Sequence, residues 1–83
     1  MTVIKNAIFS VLERFPERTD RIKQLFSDSK DFQTVCEDYR QCNEALLHWN
    51  QSAEEIAPAR RQEYQSLLRE LEEEIALNLN DSA

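Results

Sequence analysis

Phe32-Gln33-Thr34-Val35-Cys36-Glu37-Asp38-Tyr39-Arg40-Gln41-Cys42-Asn43-Glu44-Ala45-Leu46-Leu47-His48-Trp49 is the stretch that decides the fold. Within it Phe32, Val35, Tyr39, Cys42, Leu46 and Trp49 follow one another at alternating spacings of 3 and 4. That repeat keeps one apolar seam on one side of a helix, as in a coiled coil. Ser29 stands where an N-cap hydroxyl belongs, so the spacing predicts a helix over residues 30–52. At ~1.5 Å per residue such a helix is a rod of roughly 34 Å.

Asn50 to Pro58 interrupts the seam, and Pro58 suits the first turn of a new helix. Tyr64, Leu67, Leu68, Leu71, Ile75 and Leu79 form its apolar set, which predicts a helix over 58–79 and a frayed tail over 80–83. If the chain reverses near residue 55, antiparallel partners have numbers summing to about 110. Leu46 then meets Tyr64, Cys42 meets Leu68, Tyr39 meets Leu71, and Val35 meets Ile75. A short connection between apolar helices makes antiparallel neighbours the default.

Upstream, Ile4, Ile8, Val11, Leu12 and Phe15 share one helical face, with Thr2 as the expected N-cap. Pro16 lacks the N–H that would bond back to Leu12 and ends this helix. It also suits the first turn of another, in which Glu17 and Asp20 complement the helix dipole. Ile22, Leu25 and Phe26 are its apolar edge, and Ser27-Asp28-Ser29 stops it. The expected fold is therefore all-α and a single domain over residues 1–83. Two short N-terminal helices within about 3–28 precede a long, coiled-coil-like antiparallel hairpin.

Leu12-Glu13-Arg14-Phe15-Pro16-Glu17, then Ile22 and Leu25, then Asp31-Phe32, then Tyr39, resemble the pattern of the YdcH-like family of short bacterial proteins of unknown function. The resemblance covers roughly residues 12–75. It implies a small cytoplasmic helical hairpin with coiled-coil character, and it implies no activity, cofactor or catalytic residue. In that family the last helix is usually richer in Lys, whereas here it holds Glu70, Glu72, Glu73 and Glu74 against Arg60, Arg61 and Arg69.

Composition narrows the function classes. Glycine is absent, which disfavours tight β-hairpins and removes the Gly-rich loops that cradle phosphates and dinucleotides. The net charge is -6, made up of +1 over residues 1–28, -2 over 29–52 and -5 over 53–83. Nucleic-acid binders need clustered Lys and Arg to displace counterions, and anionic membranes attract basic surfaces, so neither is an expected partner. No apolar run approaches the roughly 20 residues that span a bilayer. Met1 to Leu12 reads as an amphipathic helix rather than a signal peptide. Two cysteines without a framework point to a reducing cytoplasm.

Each chemical residue has a structural reading. His48, the one histidine, falls on the outer side of its helix one turn after Glu44, and reads as a solvated side chain. Cys36 and Cys42 are six residues apart on one helix, a rise of ~9 Å that no disulfide bridges. Cys42 falls on the seam; Cys36 flanks it and is expected to be partly exposed. Glu70, Glu73 and Glu74 form a solvated, self-repelling face. Tyr39, Tyr64 and Trp49 sit at core spacing, and Arg61 falls opposite Trp49, where its guanidinium could lie on the indole. No catalytic, cofactor or metal residue is assigned.

The hairpin seam leaves Ile4, Ile8, Val11, Leu12, Phe15, Ile22, Leu25 and Phe26 without a partner, and Leu47, Leu67, Leu77 and Leu79 also remain. An apolar remainder of this kind usually marks an interface. The expectation is a non-catalytic interaction or assembly module that forms a homodimer through the N-terminal residues among them, with an unidentified protein partner also open. The rival reading is a small oligomeric metal-binding protein or enzyme, with Glu44, His48 and the Glu70–Glu74 face lining an intersubunit site.

Overall fold

The structure is a computed structural model that describes residues 3–80, and the side chains of residues 7–80. Thr2, the side chain of Ile4 and the tail beyond Asn80 lie outside it. Four α-helices follow one another: α1, Val3–Arg14; α2, Thr19–Asp28; α3, Lys30–Asn50; and α4, Ala57–Asn80. A single 3₁₀ turn, Pro16–Arg18, precedes α2, and no strand occurs among the described residues. The molecule measures 45 × 28 × 21 Å.

The helix ends follow from local chemistry. Phe15 still donates its N–H to the Val11 carbonyl at 2.9 Å, but its own backbone is already non-helical, with φ -126° and ψ 64°. Pro16 cannot supply the next bond and starts the 3₁₀ turn instead. Thr19 Oγ1 donates back to the Pro16 carbonyl at 2.9 Å, which joins that turn to α2. Ser29 is extended, and its hydroxyl accepts from the Phe32 N–H at 3.1 Å, capping α3. Gln33 Nε2 donates to the Phe26 carbonyl and ties the end of α2 to the start of α3. Asn50 ends α3, and α4 begins one residue ahead of Pro58, whose missing N–H belongs to the first turn, where no partner exists. No described residue has positive φ, so the connections need no glycine and the composition supplies none.

α3 and α4 run antiparallel: Arg61 bonds Trp49, Cys42 bonds the Tyr64 backbone, and Tyr39 bonds Glu72. One core joins all four helices. Ala7 and Val11 of α1, Ile22 of α2, Phe32, Cys36, Tyr39 and Cys42 of α3, and Leu71, Ile75 and Leu79 of α4 are its buried members. Completely burying a side chain such as Val11, Ile22, Phe32 or Ile75 contributes about 1.5–3 kcal/mol each.

The N-terminal helices pack on the chain's own hairpin. Val11 and Ile22 are fully buried there, and Ile8, Leu12, Phe15, Leu25 and Phe26 are half-buried against the same core. Of the N-terminal residues on which the homodimer expectation rested, the described ones are thus packed, wholly or in part, on the chain's own core. Cys36 departs from its expected position for the same reason. It is buried, not partly exposed, because α3 is packed by α1 as well as by α4, and Cys36, at the flank of the seam, lies in the core they share. Leu46 and Trp49, at the far end of the seam, are only half-buried.

Candidate interaction surface

Polar contacts show how the short helices are fastened. Glu72 of α4 accepts from Tyr39 Oη of α3 at 2.8 Å and pairs with Arg14 Nε of α1 at 3.2 Å, both through the same carboxylate oxygen. Burial, and then the bond to Glu72, push the Tyr39 phenol above its ordinary range, so it stays a neutral donor. Arg14 is half-exposed, which holds its ion pair to about 1 kcal/mol or less. Arg18 donates to the Leu79 carbonyl at 2.6 Å and to Asn80 Oδ1 at 2.9 Å. It satisfies a carbonyl at the C-terminal end of α4, where the helix dipole favours a cation. The basic bias of the first segment and the acidic bias of the last are partly spent on each other.

The chemically suggestive residues are engaged elsewhere or shielded. Glu44 accepts from Arg40 Nη1 at 2.5 Å, and Arg40 also pairs with Glu37. The Arg40 bond holds the Glu37 carboxyl below its usual range. His48 is exposed and meets the Trp49 ring edge-on at 4.7 Å. Arg61 donates to the Trp49 carbonyl at 3.2 Å; its place is on the backbone and not on the indole. Among the described residues no three His, Cys, Asp or Glu side chains converge as metal ligands. Burial pushes the Cys36 thiol up to about 12 and raises Cys42 as well, so neither is a thiolate nucleophile near neutral pH.

What remains open is the side of the α3–α4 pair that faces away from α1. There a groove of about 390 Å³ is lined by Asp38, Gln41, Cys42 and Ala45 of α3 and by Tyr64, Leu67 and Leu71 of α4. Its lining mixes apolar side chains with the polar Asp38 and Gln41. The Cys42 thiol is spent on the Tyr64 carbonyl at 3.3 Å, so it offers little polarity. Leu67, at 42% exposed, stands on the rim. Helical spacing places Glu63, Glu70 and Glu74 on the stripe of α4 that carries Leu67, and all three are exposed. Asp31 shares the stripe of Asp38 on α3 and is exposed too. Arg60 Nη1 pairs with Glu63 at 2.9 Å, and no lining residue is basic.

None of the N-terminal residues expected to form an interface lines this groove. Its signal in the sequence was width: Leu67 beside Leu68, and Ala45 beside Leu46, make the apolar arcs broader than one seam can use. By architecture the described residues are all-helical, four helices of which α3 and α4 pack on each other. No protein-family model, no curated protein and no solved structure matches the chain.

Proposed function

We propose that this chain is a non-catalytic protein-interaction module whose working surface is the open α3–α4 face. One observation carries the reading: α1 and α2 seal one side of the helix pair, while the other keeps an apolar groove with Leu67 on its rim. Exposed apolar grooves rimmed by polar residues are typical of interaction sites. We take α3 and α4 as a coiled-coil-like hairpin that presents the site and the two N-terminal helices as its buttress. The resemblance of residues 12–75 to the YdcH-like family agrees with a hairpin of this kind and names no partner. The reading places the chain in a reducing cytoplasm, where two free thiols are stable. No helix of the described residues is long and apolar enough to cross a membrane.

Self-association is a weaker use of this face. The described members of the N-terminal set proposed for it already pack against the chain's own core, and two copies meeting groove to groove would oppose carboxylates to carboxylates. In-cell photo-crosslinking tests the reading, with a crosslinking side chain placed at Leu67 or, as control, at exposed Lys23 of α2. A discrete crosslinked protein from position 67 and none from 23 is the expected result. Equal patterns from both positions would sink it.

A further inference from the structure

We propose that the groove binds a basic amphipathic helix of a partner protein, with its apolar edge between α3 and α4 and its Lys or Arg side chains on the acidic rims. This rests on the interaction-module reading and adds the chemistry of the partner.

The walls decide the shape of the occupant. Both are α-helices whose backbone groups are internally bonded, so no free strand edge exists for an extended peptide to extend. Two antiparallel helices with a largely apolar trough between them make a site into which a third helix packs by ridges and grooves. The α3 wall supplies small side chains, Cys42 and Ala45, which allow close approach; the α4 wall supplies large ones, Tyr64, Leu67 and Leu71. Asp38 to Ala45 on one wall and Tyr64 to Leu71 on the other each span about two helical turns. That footprint matches anchors at i, i+4 and i+7 on the incoming helix.

Charge decides its sign. Asp38 borders the α3 side, and Glu70 and Glu74 run along the α4 side, Glu63 being already paired with Arg60. The whole chain carries a net charge of -6. A second copy, an acidic peptide, a phosphate backbone and an anionic bilayer are all repelled; a helix flanked by Lys or Arg is steered in.

Two synthetic helical peptides of about 15 residues test this, identical in their Leu edge and carrying either Lys or Glu on the flanks. Both are titrated into the full chain, read by fluorescence anisotropy and by amide chemical shifts. The Lys peptide is expected to bind, with shifts confined to residues lining the groove and an affinity that falls as salt rises. Leu67→Gln should weaken it roughly tenfold. The double variant Glu70→Lys, Glu74→Lys should do the same; all three side chains are exposed, so the fold is kept. Equal binding of the Glu peptide, or shifts spread over α1 and α2, overturns the proposal. So do concentration-dependent groove shifts without peptide, which would assign the face to a second copy. If only the Glu peptide binds in the groove, the partner chemistry fails while the interaction module stands. If neither peptide binds and the crosslinks from positions 67 and 23 are alike, both fail.

Discussion

Raising the pH should destabilise this protein, chiefly through one buried sulfur. Cys36 has no exposed surface, and burial pushes its thiol from 9.0 up to about 12. Its native-state value lies above the unfolded one, so the neutral thiol's contribution is fully present below about pH 9 and is lost as the pH rises toward 12. Three units at about 1.4 kcal/mol each amount to about 4 kcal/mol, of which roughly two-thirds is gone by about pH 11. A domain of 83 residues has a total stability of about 4–12 kcal/mol, so the loss is a large fraction of the whole. Urea denaturation followed by circular dichroism, at steps between about pH 8 and pH 11, measures it. Cys36→Ala isolates the cause: removing a single sulfur should cost about 1 kcal/mol at pH 8 and flatten the decline above pH 9. A smaller decline persists, because the Cys42 thiol and the Tyr39 phenol are also raised. An unchanged pH slope in Cys36→Ala, or alkylation of native Cys36 at pH 8 as fast as in urea, would refute the reasoning.

Leu71→Ala should cost about 2–3 kcal/mol, the lower part of the range for buried leucines because Leu71 also lines the groove; Leu77→Ala, at 71% exposed, should stay within about 0.5 kcal/mol. Equal losses in denaturant melts would mean that the phase of α4 is wrong. A double-mutant cycle of Tyr39→Phe and Glu72→Gln should give a coupling of about 0.5–2 kcal/mol, and no coupling would show that the bond across α3 and α4 does not form in solution. Mass spectrometry of non-reduced peptides after oxidation of the folded protein should find no Cys36–Cys42 bridge, and such a bridge would require a break in α3 between them. Sedimentation equilibrium at micromolar concentration should give a monomer; a tight dimer that survives Leu67→Gln would place self-association away from the groove.

The helix ends were the most legible part of the fold, because single residues set them. Pro16 lacks a donor and Ser29 carries an oxygen at the right place, and both act locally. The antiparallel sense of α3 and α4 was legible too, since one short reversal sets it; Tyr39 bonds Glu72, next to the expected Leu71, while Cys42 bonds the backbone of Tyr64, one turn before the expected Leu68. The second packing face of α3 was not. A heptad seam assumes one partner, and Cys36 and Ala7 are small side chains that carry little weight in an apolar pattern although both are buried. Arg18 on Leu79 spans 61 residues, and no spacing rule reaches that far. The groove was hidden for a related reason: whether Leu67 faces core or solvent depends on which side of the pair the N-terminal helices cover.

The core is unevenly spread along the long helices. Every buried residue of α3 lies at or before Cys42, and on α4 the stretch between Ala57 and Leu71 contributes only half-buried side chains toward it. Local opening free energy follows apolar contact density, so amide hydrogens of residues 46–66 should exchange through partial openings while those around Cys36 and Ile75 exchange only on global unfolding. The end next to the 51–56 connection can then splay at modest cost while the other end stays shut. If the groove proposed above holds a helix, the gap between α3 and α4 can fit that helix's girth at the open end while the other end keeps its packing.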